Sequence, residues 1–387
     1  MASIPTTSNP EMLVWAREGV GYELVQAADA LGVTVERLVA AESGEKPFSL
    51  NQLRKAADKY SCPFGYFYFS KPPYKHTDKP IPDYRIEPNM MGVDNYKLQL
   101  EIKKVRDRRL TYIDLLEESG EERKSFKTLG TDERRGNIGR KIRSRLGVTK
   151  AELLDLNFEK AYVYWKGKIE NDGVLVYESQ YIPVESGVIG MAIFYNSHPI
   201  ILVKRGGDSN ERRLFTLLHE YAHLLIGKSA INDLQSQTIN RSDSESTELE
   251  ADCNYMAGEI LVPGELLKDA DYEGLTPLEK MEKVSNTFKV TYTTAAVCLR
   301  RRNFISKEDY QNLIARRLAE FKNKKNRNNN RETKIPRENI QRLDYGRPFF
   351  DVVLGAYESG RIDVYDASNI LNLRVKKIDL LVARNAI

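Results

Sequence analysis

The 387-residue sequence contains only three cysteines, four histidines and two tryptophans. Cys62, Cys253 and Cys298 lie far apart, which excludes a disulfide framework and a cysteine-rich zinc finger and is typical of a reducing compartment. No apolar run reaches the roughly 18 residues that a membrane-spanning helix needs. The segment 1–10 has neither the basic start nor the apolar core of a secretory signal. We therefore expect a cytoplasmic protein without a membrane partner.

An excess of charge of one sign is also lacking. The sequence has 59 Lys and Arg against 55 Asp and Glu, a net charge of +4, which is too close to neutral for a chain-wide polyanion binder. The positive charge is concentrated in residues 300–342, which hold 14 basic and 5 acidic residues. Because aromatic residues are sparse there, a solvated basic linker is favoured over a nucleic-acid surface, which stays the alternative.

The N-terminal residues are predicted to form a bundle of short helices. Apolar residues at helical spacing predict four helices in residues 1–70, with a tight turn at Gly32 between the second and the third. They cover residues 11–17 after a cap at Asn9, residues 23–31, residues 35–42, and a fourth segment that Ser49 caps. Two helices joined by such a turn form a helix-turn-helix arrangement. Residues 1–70 carry eight acidic and six basic residues, however, and an acidic surface neutralises phosphates poorly. Protein interaction is therefore the favoured role of this unit, and DNA binding is the alternative.

The centre of the chain combines strands and helices. A charged amphipathic helix is predicted over residues 95–118, after a segment rich in proline. Short apolar runs that begin at Val174, Met191 and Pro199 predict three strands. We also interpret the last run as an unpaired edge strand, to which an extended peptide substrate could add beside Ile201 and Val203.

His219-Glu220-Tyr221-Ala222-His223 has the pattern H-E-x-x-H, within a stretch of good helix formers. Residues four apart lie on one face of a helix, so both imidazoles can reach one metal ion. Zinc, which binds imidazole nitrogen at about 2.0–2.1 Å, is the expected ion. Glu220 can then accept the proton of a water molecule that attacks a carbonyl, so the motif predicts peptide hydrolysis. The alternative is a chance pair of core histidines.

Zinc needs a third protein ligand, and the segment 246–263 offers two candidates. Glu250 shares a small, mostly apolar helix face with Cys253 and Asn254, suited to packing on another helix, whereas the face of Glu248 is more polar. We therefore predict Glu250 as the ligand and Glu248 as a solvated residue. Asn254 is a candidate partner for a ligand, and Cys253 is predicted to be a buried, inert thiol.

The two remaining histidines are not predicted to be ligands. His76 lies in the proline-rich segment and His198 precedes a strand, so both are interpreted as surface residues. No third histidine follows the motif at the spacing of the metzincins, which disfavours that class.

Four segments resemble the ImmA/IrrE family of metallo-endopeptidases, in the form with an N-terminal XRE-like helix-turn-helix. Residues 215–225 (FTLLHEYAHLL) are similar to the family's F-T-x-x-H-E-x-x-H helix. Residues 250–263 (EADCNYMAGEILVP) are similar to its second helix, E-x-x-A-N-x-F-A-x-x-L-L-x-P, with Cys and Met at two positions that are usually Ala and Phe. Residues 9–18 and 82–85 resemble its opening and a short segment after its linker.

The resemblance implies an α+β fold, in which an all-α helix-turn-helix domain precedes a zincin-like metallopeptidase domain with a small sheet. It implies that His219, His223 and Glu250 bind Zn²⁺ and that Glu220 is the catalytic base. The implied activity is regulatory cleavage of a specific protein, often an XRE-type repressor, in stress response or in mobile-element and phage-related regulation. The alternatives are a DNA-binding regulator with a dormant protease fold and a toxin–antitoxin or phage-defence component. The oligomeric state is left open.

The resemblance and the composition together predict six segments. They are a helix-turn-helix domain (1–70), a Pro-rich linker (71–94), a helical connector (95–150), the zinc metallopeptidase domain (151–321), a basic Asn-rich linker (322–342) and a C-terminal helical unit (343–387).

Overall fold

A computed structural model describes residues 8–72, 95–130, 137–183, 186–233, 244–324 and 337–385. The chain divides into two compact units, one of Met1–Leu110 with Tyr181–Val188 and one of Thr111–Gln180 with Ile189–Ile387. Most of the predicted Pro-rich linker, with His76, and most of the basic linker lie outside the described residues. Within the described part of the chain, no helix is both long and apolar enough to cross a membrane.

The first unit begins with four short helices at the predicted positions. Asn9 accepts a hydrogen bond from the backbone of Glu11 at the start of the first helix, and Ser49 forms a capping box with Gln52 at the start of the fourth. Their apolar faces enclose one core that includes Trp15, Leu38 and Tyr60. The four helices are α1 (Pro10–Gly19), α2 (Leu24–Leu31), α3 (Val35–Glu42) and α4 (Leu50–Tyr60).

Four helices, three strands, a helix, a short strand and a further helix follow. The amphipathic helix has the predicted bounds, and the strands lie within a few residues of the predicted runs, except that a fourth strand was not predicted. The helices are α5 (Asn95–Glu118), α6 (Ile138–Arg145), α7 (Lys150–Asp155), α8 (Phe158–Asn171), α9 (Asn210–Ile226) and α10 (Ser244–Leu261). The strands are β1 (Leu175–Ser179), β2 (Val188–Ile193), β3 (Ile200–Lys204) and β4 (Ala230–Asp233).

The strands form one mixed sheet in the order β1-β3-β2-β4. β3 pairs in parallel with β1 and antiparallel with β2, so both of its edges are occupied. The prediction of an unpaired edge beside Ile201 and Val203 is therefore wrong. Both side chains are fully buried among α8 and α9, because the apolar run that suggested an exposed edge belongs to a central strand.

Helices complete the chain. The helix Tyr292–Arg301 packs on α10, and the last four helices form the C-terminal end. Lys166 of α8 donates a hydrogen bond of 2.8 Å to the carbonyl of Leu343, and the ring of Tyr177 lies edge-on to that of Phe349, so this end packs on α8 and β1. The helices are α11 (Pro277–Phe288), α12 (Tyr292–Arg301), α13 (Lys307–Lys324), α14 (Arg337–Tyr345), α15 (Arg347–Glu358), α16 (Val364–Leu371) and α17 (Val375–Asn385).

Candidate metal centre

Helix α9 carries the H-E-x-x-H motif through the core of the second unit. Ser209 caps its start by accepting a hydrogen bond from the backbone of Arg212, and Gly227 ends it in the left-handed conformation, with φ 78°. Every residue from Thr216 to Ile226 is buried. A helix that is buried on all sides is expected to be apolar, so the His and Glu side chains in its middle need polar partners.

Three ligand atoms converge beside this helix. The Nε2 atoms of His219 and His223 lie 3.0 Å apart, and each lies 3.2 Å from one carboxylate oxygen of Glu250 on α10. Both histidines are almost completely buried and Glu250 is 8% exposed. The predicted ligands are thus brought together, although Glu250 is 27 residues beyond His223 in the sequence.

The spacing of these atoms suits a small tetrahedral cation. Ligands at about 2.0–2.1 Å from a tetrahedral ion are separated from each other by roughly 3.3 Å, close to the observed distances. Two neutral imidazoles and one carboxylate also supply three lone pairs and a single negative charge. The donor set therefore fits a small divalent cation such as zinc.

The orientation of His219 is set by Asn254. Nδ1 of His219 lies 3.0 Å from Oδ1 of Asn254, one helical turn beyond Glu250. Because an amide oxygen accepts hydrogen bonds, Nδ1 carries the proton and Nε2 presents its lone pair towards His223 and Glu250. The same helix thus supplies a ligand and the group that orients another ligand.

Helix α10 is itself held in place by α6. Gly139 of α6 lies so close to the backbone of Glu259 that a Cβ at this position would overlap the carbonyl oxygen. Arg143, one turn later, donates hydrogen bonds to the carbonyls of Glu259 and Ile260 and pairs with Glu265 at 2.6 Å. These contacts satisfy carbonyls at the end of α10 and restrict sliding of the helix that presents Glu250.

A second polar network, which is partly buried, holds the other side of α9. The hydroxyl of Tyr221 donates a hydrogen bond of 2.7 Å to Asp172, which also pairs with Arg145 at 2.9 Å. Burial, followed by the charge of Asp172, raises the pKa of Tyr221 well above its usual value, so the phenol stays protonated. This network was not predicted, because nothing in the sequence relates residues as distant as Arg145 and Tyr221.

Residues 178–300 match the family model of the IrrE N-terminal-like domain (Peptidase_M78). The matched segment contains both the H-E-x-x-H helix and Glu250. The match supports the ImmA/IrrE family, and it suggests a metal-dependent regulatory peptidase. No curated protein and no solved structure matches the chain.

The other residues singled out in the sequence have clear positions. Glu248 is exposed and Cys253 is fully buried, as predicted. The interpretation of His198 as a surface residue is wrong, because it is 3% exposed, with Nδ1 2.8 Å from the hydroxyl of Ser197 and its ring against Tyr112. His198 has φ 49°, which lets the chain turn directly into β3, a conformation that sequence composition does not reveal.

Proposed function

We propose that the chain is a zinc-dependent endopeptidase that makes regulatory cleavages in a specific protein. The observation that carries this proposal is the convergence of three buried ligand residues, His219 and His223 of α9 and Glu250 of α10, next to the buried Glu220. The peptidase family match over residues 178–300 supports it independently.

Each residue of the centre has a distinct task in this proposal. His219, His223 and Glu250 hold the metal, and Asn254 keeps His219 in the tautomer that can bind it. When bound, zinc acidifies a water molecule and polarises the carbonyl of the scissile peptide. The Glu220 carboxylate takes the proton from the attacking water and later delivers it to the leaving amine. Burial of Glu220 favours this exchange, because no bulk water competes for the proton.

An XRE-type repressor is the substrate class that we propose from the resemblance to the ImmA/IrrE family.

The alternative role, DNA binding through the N-terminal helices, is disfavoured by one contact. Arg37 is the only basic residue of α3, and its guanidinium donates hydrogen bonds to the carbonyls of Lys46 and Pro47 while it stacks on Phe48. α3 is the second helix of the predicted helix-turn-helix. Because Arg37 is engaged within the protein, the exposed surface of α3 presents the acidic Glu36, rather than a cation, to a DNA phosphate.

The proposal is tested by the metal content of the full-length protein, measured by elemental mass spectrometry. We expect about one zinc per chain in the wild type and in Glu220→Gln, and loss of zinc in His223→Ala and Glu250→Ala. Glu248→Ala is the matched control, since it removes an exposed carboxylate from the same helix and should retain zinc. Full retention of zinc in Glu250→Ala would refute the ligand assignment.

The peptidase activity is tested with a library of peptides analysed by mass spectrometry. Peptides cleaved by the zinc-loaded wild type should remain intact with zinc-loaded Glu220→Gln, which keeps the metal but lacks the base. Equal cleavage by both proteins would rule out Glu220 as the base. Stable zinc binding without any cleavage would instead favour a structural metal in an interaction protein.

A further inference from the structure

Strand β2 approaches α9 unusually closely at one glycine. A Cβ built on Gly190 would lie 2.5 Å from Cγ2 of Thr216, 3.1 Å from Oε1 of Glu220 and 3.2 Å from Cγ of Glu220. A Cβ atom does not approach a carbon of another segment to 2.5 Å, so any other residue at this position would require β2, α9 or the side chains of α9 to move. A glycine in the interior of a strand often marks such an approach of two segments.

The contacts of Gly190 select one face of α9. Thr216 and Glu220 are four residues apart and share a face, which lies against β2. His219 and His223 form the neighbouring face, rotated by about 100° around the helix axis, and this face meets Glu250 of α10. The strand therefore contacts the proposed base, while a different helix contacts the proposed metal ligands.

Thr216 cannot easily yield to a new side chain. It is 2% exposed, and its hydroxyl donates a hydrogen bond of 3.1 Å to the carbonyl of Arg212, which fixes its rotamer. A β-branched side chain in a helix has few other conformations available. Relief of the 2.5 Å contact therefore needs a small separation of β2 and α9 or a shorter side chain at position 216, whereas the longer and more flexible Glu220 can rotate away from a new methyl group.

We propose that Gly190 is a positioning residue for Glu220. Its missing side chain leaves the space in which the carboxylate of Glu220 lies against β2, and a methyl group there would displace this carboxylate. This inference rests on the proposed function, because it concerns the group assigned as the base.

The test uses full-length, zinc-loaded protein and acetohydroxamic acid, so that no natural substrate is needed. A hydroxamate binds zinc through its two oxygens, and the proton that it gives up is accepted by a neighbouring carboxylate, here that of Glu220. Binding is measured by calorimetry, and zinc content by elemental mass spectrometry. We expect Gly190→Ala to keep its zinc and to bind the hydroxamate about tenfold more weakly or worse, approaching the affinity of Glu220→Gln.

The matched control is Gly167→Ala. It adds the same methyl group within helix α8, where a Cβ would meet nothing within 4 Å, and it should bind zinc and hydroxamate as the wild type does. A wild-type hydroxamate affinity in zinc-loaded Gly190→Ala would overturn the inference. Loss of zinc from Gly190→Ala would also overturn it, because Gly190 would then support the whole centre rather than Glu220.

A second variant keeps the test decisive if Gly190→Ala folds poorly. Thr216→Ser removes the methyl group at 2.5 Å, so that, of the three nearest contacts, the double variant Gly190→Ala/Thr216→Ser retains the two with Glu220. The double variant should bind hydroxamate about threefold or more weakly compared with Thr216→Ser alone, at equal zinc content. Equal affinities would overturn the inference. A zinc-loaded wild type that binds no hydroxamate would instead contradict the proposed function, and with it the role of Glu220.

Discussion

Two buried carboxylates of the second unit lie between pairs of nitrogen-bearing side chains, yet the two clusters differ in chemistry. Glu178 of β1 pairs with Lys166 at 3.0 Å and with Arg213 at 2.5 Å. Glu250 lies 3.2 Å from each of two imidazole nitrogens. The distances in the two clusters are similar. What distinguishes the clusters is the charge of the nitrogen groups.

The cluster around Glu178 is complete without an ion. Lys and Arg are hydrogen-bond donors without lone pairs, so they neutralise the carboxylate but cannot bind a metal. Burial raises the pKa of Glu178, but the charges of Lys166 and Arg213 outweigh it and hold the pKa below its usual value. The imidazoles beside Glu250 instead carry lone pairs. They do not neutralise the negative charge of its carboxylate, which is therefore available to bind a cation. A buried carboxylate thus marks a metal centre only when its neighbours are acceptors.

The largest effect that we expect from this comparison is on stability. Glu178→Ala leaves the buried Lys166 and the partly buried Arg213 without the carboxylate that pairs with both, and it should lower the free energy of unfolding by about 3–5 kcal/mol, measured by urea denaturation. Asp351→Ala is the control, since it removes an exposed partner of Arg347 and should cost less than about 1 kcal/mol. A similar cost for both variants would show that the Glu178 cluster contributes no more than a surface pair.

A smaller effect is expected on metal affinity at the other cluster. Asn254→Ala removes the acceptor for Nδ1 of His219 and should weaken zinc binding by about 10–100-fold, measured by competition with a chromophoric chelator. Glu248→Ala, on the exposed face of the same helix, should leave the affinity unchanged. Unaltered binding in Asn254→Ala would show that packing alone orients His219.

The smallest effect concerns Glu170, a third buried carboxylate, which neighbours the Glu178 cluster. Burial, with a smaller contribution from the charge of Glu178, raises the pKa of Glu170 to about 7. Lys166, the backbone N–H of Arg347 and the Arg347 side chain act in the opposite direction but do not outweigh burial. The folded protein therefore holds this proton up to about pH 7, whereas the unfolded chain releases it near 4.5. The contribution of Glu170 to the free energy of unfolding therefore falls as the pH rises between these two values, and it is constant above them.

Glu170→Gln removes this titration but keeps an oxygen that can accept from Arg347. We expect the loss of unfolding free energy between pH 5 and pH 8 to shrink by about 1–2 kcal/mol relative to the wild type, measured by urea denaturation at each pH. An unchanged pH dependence would mean that Glu170 is already ionised in the folded protein at pH 5.

The sequence was sufficient where the controlling interactions are local. The bounds of α3 and α5 and the caps at Asn9 and Ser49 follow from residues within one or two helical turns. The pairing of His219 with His223 has the same origin, since a spacing of four residues fixes a shared helix face wherever the helix lies. The choice of Glu250 over Glu248 also rested on helix periodicity, and the structure places Glu250 beside both histidines.

Only the tertiary structure decided the features that join distant segments. The central position of β3, the burial of His198 and the contact of Gly190 with Glu220 depend on which strands pair and how closely a helix approaches them. An apolar run predicts a buried strand but not its neighbours, because backbone hydrogen bonds between strands carry no residue-specific information. Gly190 and Glu220 are thirty residues apart, and the packing of β2 on α9 brings them together.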